Sequence, residues 1–222
     1  MTTSKDFVTH IEAMAAQKFI GVGYRKRTAG IFTRAITDEV LGWVGLNKAT
    51  RKRGPGAFEI NPVVGVRHQT LERLVAELQG MKAHQYIPPS IGTNIGYLMP
   101  ARRYIPFRFE QGHPGNDAAV AEMVATVEKF GRPFMRDNSD LSHLYDTMRT
   151  SGLGIPPQLE DRLPVVCALL GKKDQAEALL NEKLSQIGAQ TGPAAEFYRR
   201  FATALRKRLA AGDLLNSAPG RR

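Results

Sequence analysis

The sequence has little cysteine and no long apolar run. Cys167 is the single cysteine among 222 residues, which excludes an internal disulfide and the small disulfide-stapled folds of many exported proteins. No run approaches the ~18–20 apolar residues of a membrane-spanning helix. The first residues, Met1-Thr-Thr-Ser, lack the apolar core of a signal peptide. We therefore expect a cytoplasmic protein of bacterial type that has no membrane partner.

Catalytic motifs are also missing from the sequence. It contains no metal-binding motif, phosphate-binding loop, nucleophile elbow or carboxylate pair at a recognised spacing. Gly21 and Gly23 follow a predicted helix, so they indicate a helix end and not a dinucleotide-binding turn. Asp140, His143 and Asp146 are spaced by three, unlike an i, i+4 metal pair, and a solvated face is favoured. We predict no catalytic residue, no metal site, no cofactor and no enzymatic activity.

Acidic residues are scarce relative to basic ones. The chain has 31 Lys and Arg against 21 Asp and Glu, a formal net charge of +10. Residues 18–53 hold nine cations and two acids, Asp38 and Glu39, and so supply +7 of that charge. Such a concentration attracts nucleic acid or an acidic protein surface, whereas the simplest alternative is a solvated face that only aids solubility.

The periodicity of apolar residues in the first third predicts a helix followed by a sheet. Residues 4–20 follow helical spacing. Runs rich in aromatic and β-branched residues then predict a three-stranded antiparallel meander at 24–36, 40–48 and 58–66. Pro62 predicts that the third strand lies at an edge or contains a bulge, because proline cannot donate to a sheet ladder.

The middle of the chain is predicted to add a helix and a second hairpin. The helix begins at Thr70, with Leu71, Leu74, Val75 and Leu78 on one stripe and Glu72, Arg73 and Glu77 on the other. Residues 94–99 and 104–109 are predicted to pair with each other and extend the sheet, because so long a loop without secondary structure would be unusual.

The last part of the chain is predicted to be helical. Gly131 and Pro133 predict the end of one helix, and the Gly- and Pro-rich segment 151–157 predicts an internal boundary. Asp174 and Glu177 form a predicted capping box. Three helices are expected beyond the boundary, at 159–170, 174–187 and 194–210.

The predicted fold is therefore α+β, with an antiparallel sheet of about five strands packed with helices and an all-helical C-terminal appendage. We expect an α+β domain at 1–152, a helical subdomain at 157–212 made of a hairpin plus one helix, and a disordered tail at 213–222. The sequence does not predict an oligomeric state.

The candidate site is a group of cations that we call the basic rim. Its members lie at the start of the first predicted strand and in the Gly- and Pro-rich loop between the second and third strands: Arg25, Lys26, Arg27, Lys48, Arg51, Lys52 and Arg53. Arginines in a loop can grip phosphates or carboxylates with bidentate geometry. The loop has no interleaved aromatic residues, so stacking on bases is not predicted.

Several short motifs resemble a bacterial family of unknown function. They are Gly-Tyr24-Arg-Lys-Arg, Ile-Phe32-Thr-Arg34, Gly45-Leu-Asn47-Lys48, the run from Phe58 to Val66, Phe130-Gly-Arg-Pro-Phe134 and Ser139-Asp-Leu141. The resemblance covers roughly residues 7–150 and implies a helix, an antiparallel meander and C-terminal helices. Some members lie beside polymorphic toxins and are regarded as immunity proteins, which implies a toxin or defence-system subunit as partner. The family's usual tryptophans near the fourth and fifth strands are absent here, where Phe107 and Phe109 lie in that region.

Two functions are weighed from these observations. The first is a non-enzymatic interaction protein, immunity-like or an accessory of a defence system, which docks an acidic protein through the basic rim. The second is a nucleic-acid-binding module whose rim cations contact phosphates, and its affinity should fall steeply with salt.

Overall fold

The computed structural model of the chain describes residues 4–49, 56–153 and 156–214. It confirms the α+β class, with a six-stranded antiparallel sheet and helices that continue to the C-terminal end of the described chain. The strands are β1 (Arg25–Thr28), β2 (Ile31–Ala35), β3 (Val40–Ala49), β4 (Ala57–His68), β5 (Ile91–Asn94) and β6 (Phe107–Glu110). The helices are α1 (Ser4–Gly21), α2 (Gln69–Leu78), α3 (Asn116–Thr126), α4 (Arg132–Asp137), α5 (Leu141–Thr150), α6 (Pro156–Leu169), α7 (Lys173–Ile187) and α8 (Pro193–Ala211).

The chain divides into two compact units. The first contains Met1–Arg67 and Gly92–Ser139, and the second contains His68–Ile91 and Asp140–Arg222. The boundary predicted at 152–157 lies inside the second unit, because α2 and α5 are grouped with the C-terminal helices. The predicted tail falls outside the described residues from position 215 onward.

The first two strands form a hairpin that replaces the single strand predicted at 24–36. Thr28 pairs with Ile31, and Gly30 in the turn has φ +71°, a left-handed conformation that glycine adopts readily. The strand order is β1-β2-β3-β4-β5, so β1 is the end strand of the sheet. The predicted meander is thus present with one strand more than expected.

Strand β4 is interior, which overturns the prediction that Pro62 marks an edge. It is bonded to β3 on one side and to both β5 and β6 on the other. The β6 pairing ends at Ile60, opposite Phe107, and the side chain of Asn61 then hydrogen-bonds Asn94 of β5 at 2.6 Å. Pro62 therefore lies close to the point where the strand paired with β4 changes from β6 to β5. We infer that the missing N–H of proline is tolerated at this junction.

The predicted second hairpin is wrong in its pairing. Both β5 and β6 extend the sheet, but each pairs with β4 and not with the other. Between them the chain forms a 3₁₀ turn at Ile95–Tyr97 and a loop that returns over Gly96. A Cβ at Gly96 would lie 2.1 Å from the carbonyl oxygen of Arg103, so only glycine permits this close approach of two backbone segments.

The core of the first unit lies between the sheet and α1. Every fourth residue of α1 is buried, from Phe7 through Ile11 and Ala15 to Phe19. The ring of Phe19 stacks on Phe32 of β2 at 4.9 Å between centroids. Burying such rings supplies much of the stability of a small core, at roughly 1.5–3 kcal/mol per side chain.

The helix predicted to end at Gly131 and Pro133 instead continues to Asp137. A five-residue π turn, Val127–Gly131, joins α3 to α4. Gly131 keeps right-handed helical angles, and a Cβ there would lie 3.0 Å from Val64 Cγ1, so its lack of a side chain serves packing. Pro133 is the second residue of α4 and directly follows the π turn.

The second unit is helical, and its three predicted C-terminal helices are confirmed as α6, α7 and α8. The polar stripe predicted for α2 is not all exposed, because Glu72 is buried and forms a two-bond ion pair with Arg162 of α6. The capping box of Asp174 and Glu177 is also not formed. Glu177 instead accepts a hydrogen bond from Arg206 of α8 at 2.9 Å.

Candidate functional site

Strand β1 places two cations of the basic rim at the end of the sheet. Arg25 and Lys26 are solvent-exposed, and neither makes an ion pair or a side-chain hydrogen bond with another described residue. Their registers are Arg25 with Thr33 and Lys26 with Phe32, so the two side chains leave the strand on opposite faces. The edge therefore presents positive charge in two directions.

The other described members of the rim are tied into the fold. Arg27 is half-buried, and its Nε donates to the hydroxyl of Thr33 at 2.7 Å. Lys48, near the end of β3, forms an ion pair with Glu12 of α1. This pairing neutralises part of the charge that the sequence assigned to the rim. Arg51, Lys52 and Arg53 lie outside the described residues, so the contribution of the predicted loop stays a prediction.

A second cluster of cations, which the sequence reasoning missed, surrounds a pocket in the same unit. The pocket has a volume of about 220 Å³. It is lined by Tyr24, Arg34, Ala35, Ile36, Gly42, Arg132, Met135 and Arg136. The only signal in the sequence for this cluster was the i, i+4 spacing of Arg132 and Arg136, which puts them on one side of a helix. No pattern in the sequence connects these two arginines to Arg34 on β2.

Glu128, on the π turn, forms ion pairs with two of the arginines that line this pocket. Its Oε2 lies 3.4 Å from Arg34 Nη1 and 3.6 Å from Arg132 Nη1. Arg34 Nη1 also donates to the carbonyl oxygen of Val22 at 3.2 Å. Burial, followed by the negative charge of Glu128, raises the pKa of Tyr24, so the phenol stays neutral at physiological pH.

Of the three polar residues considered for catalysis, Asp140 has a structural role and the other two are exposed. Asp140 is the N-cap of α5, where its carboxylate accepts from the His143 N–H at 2.8 Å, and His143 and Asp146 are exposed. Cys167 is buried, and burial raises the pKa of its thiol. Among the described residues no group of three or more His, Cys, Asp and Glu side chains is arranged to hold a metal ion. None of the described helices is long and apolar enough to cross a membrane.

The fold and these two cationic clusters define an α+β protein with a charged sheet edge and an arginine-lined pocket. Comparison with family models, with curated proteins and with solved structures finds no match.

Proposed function

We propose that the protein is a non-enzymatic binding protein that docks an acidic protein partner through the basic rim. The observation that carries the proposal is the pair Arg25 and Lys26, two exposed cations without ion-pair partners among the described residues, on the end strand of the sheet. Unpaired surface charge of one sign steers an oppositely charged partner and sets its orientation.

The backbone of β1 supports this proposal. An end strand has a row of main-chain donors and acceptors that a partner's strand can use. Cations at such an edge also discourage pairing with further copies of the same strand, because like charges would then face each other. A partner with acidic side chains would remove that repulsion, so the charge selects for acidic partners.

The family resemblance indicates the kind of partner. It makes a toxin or a defence-system subunit with an acidic surface the partner to seek, with the bacterial cytoplasm as the place of action. In this proposal the protein acts by occupying its partner's surface, and no chemical step is involved.

The test is a quantitative affinity experiment. Lysate of the source cells is treated with nuclease and passed over the wild-type protein or over the variant R25E/K26E, and the bound proteins are quantified by mass spectrometry. The matched control is R102E/R103E, which reverses another adjacent pair of exposed arginines in the same unit.

We expect an acidic protein to bind the wild type and the control. Its recovery on R25E/K26E should be at least about tenfold lower at low salt, because the variant repels the partner. Equal recovery on all three proteins would remove β1 from the binding surface. Binding of a duplex oligonucleotide that weakens linearly with the logarithm of salt concentration would favour the nucleic-acid function instead.

A further inference from the structure

The arginine-lined pocket of the first unit has the composition of a ligand site. Its mouth carries Arg132 and Arg136, whose side chains are 60% and 75% exposed. Its inner wall is apolar and consists of the ring of Tyr24, the thioether of Met135, Ile36 and the backbone of Gly42. An apolar wall with a few charged groups that converge on the opening is the usual arrangement of a small-molecule site.

The arginines at the mouth have hydrogen-bond donors to spare. Arg132 lies 3.6 Å from Glu128, which is too long for a hydrogen bond, and it makes none with any other described residue. Within the part of the chain that the structure describes, the Arg136 side chain donates only through its Nε, to Asp137 at 3.2 Å. Each guanidinium has five N–H groups in a fixed fork, so the terminal nitrogens of both remain available to an oxyanion.

The charges around the pocket favour an anion even when the nearby acids are counted. Three arginines line the pocket, and the neighbouring carboxylates are Glu128 and Asp137, which leaves one positive charge. Arg132 and Arg136 are four residues apart on α4, and like charges at that spacing repel each other. A bound oxyanion would relieve this repulsion and would be held by two forks at once.

The position of α4 creates this geometry. The π turn before it contains one residue per turn more than an α-helix, and such turns recur at functional sites. At Gly42 the helix approaches β3 closely, because a Cβ there would lie 2.9 Å from Met135 Sδ. The hydroxyl of Tyr24 contributes a polar atom to this otherwise apolar wall, where it lies 3.6 Å from Met135 Sδ and beside the carboxylate of Glu128.

We propose that this pocket binds a small organic anion that carries one carboxylate or phosphate group on a compact apolar body. The oxyanion is held by Arg132 and Arg136, and the apolar part contacts Tyr24, Ile36 and Met135. The volume of about 220 Å³ is below the ~300–1,000 Å³ of sites for drug-sized ligands, which excludes a dinucleotide or another large cofactor. The proposal does not depend on the proposed function, because no member of the basic rim lines the pocket.

The test uses three defined probes: phenyl phosphate, benzoate and inorganic phosphate. Binding to the full-length protein is measured at low salt by calorimetry and by changes in backbone amide NMR signals. R132Q/R136Q removes the charges at the mouth. A35L leaves the charges in place but fills the pocket from an exposed lining position. The control is R108Q, a similarly exposed arginine that pairs with Glu110 and does not line the pocket.

We expect phenyl phosphate or benzoate to bind with a Kd near ~1 mM or tighter, and more tightly than inorganic phosphate. Binding should be at least about tenfold weaker in R132Q/R136Q and in A35L, and unchanged in R108Q. Preference for one organic probe supports the site and identifies its oxyanion. Failure of all three probes to bind the wild type would overturn the proposal, as would equal binding by R132Q/R136Q or equally tight binding of inorganic phosphate.

Discussion

We predict that the buried ion pair between Glu72 and Arg162 is important for the stability of the second unit. Arg162 Nε donates to one carboxylate oxygen of Glu72 at 2.8 Å, and its Nη2 donates to the other at 2.7 Å. Arg162 Nη1 also donates to the carbonyl oxygen of Gln158 at 3.1 Å. The side chains are only 6% and 4% exposed, so removal of one partner would leave the other charge with little access to water.

The expected losses follow from this burial. R162M leaves the carboxylate of Glu72 buried without its arginine, and E72L leaves a buried guanidinium without its carboxylate. Each single variant should lose about 3–5 kcal/mol of unfolding free energy, since a buried charge then loses the partner that holds it by two hydrogen bonds. The double variant E72L/R162M should lose less than the two single variants combined, because both members of the pair are then removed together.

The measurement is urea denaturation of the four proteins, followed by far-UV circular dichroism, together with thermal melting. For a chain of this length, a loss of 3–5 kcal/mol corresponds to a decrease in Tm of about 10 °C. The matched control is R206M, which breaks the Glu177–Arg206 pair in the same unit. Those side chains are 39% and 37% exposed, so the loss should be below about 1 kcal/mol.

Two results would refute the reasoning. Single variants that each lose less than about 1 kcal/mol would mean that water reaches the pair. A double variant that loses as much as the two singles combined would mean that the side chains contribute through independent packing and not through their mutual interaction.

Two further predictions concern a close backbone contact and a buried acid. G96A should destabilise the protein by about 2–3 kcal/mol, because the new Cβ would collide with the backbone of the returning loop at Arg103. The control G21A, whose new Cβ would have nothing within 4 Å, should change stability by no more than about 1 kcal/mol. Equal losses for the two variants in urea denaturation would contradict this packing. Burial raises the pKa of Asp161 above its ordinary value of 3.8, so its carboxyl favours folding below that value and this contribution is lost as pH rises through the raised pKa. As the pH is raised from acidic to neutral, the unfolding free energy of D161N should therefore rise relative to that of the wild type. A difference in unfolding free energy that stays constant with pH would show that the titration of Asp161 does not contribute.

Local patterns in the sequence were sufficient for most helices. The repeat of Phe7, Ile11 and Ala15 predicted α1 because its spacing reports one buried helical face. The three C-terminal helices were likewise predicted to within a few residues. The β1–β2 turn was missed because Thr28 and Ile31 both suit a strand, and only Gly30 between them indicated a reversal.

Partners distant in the chain could not be predicted in this way. The pattern of α2 alone put Glu72 on a polar stripe and gave no sign of its burial, because the arginine that pairs with it is 90 residues away. Glu177 had a local role available as a capping residue, yet it bonds Arg206, 29 residues further on. A charged side chain takes the strongest partner that the packing offers, and that choice is made only when the helices meet.

For the two candidate sites, too, some features follow from the sequence and others only from the tertiary structure. By itself the sequence determined the α+β class and the excess of positive charge near β1, since both follow from composition and local periodicity. The tertiary structure decided which of those cations are available, because Lys48 is paired with Glu12 whereas Arg25 and Lys26 are exposed at the sheet's end. It alone brought Arg34 to the same pocket as Arg132 and Arg136, about a hundred positions later in the chain. Antiparallel pairing and the π turn set that proximity, and no periodicity within either segment encodes it.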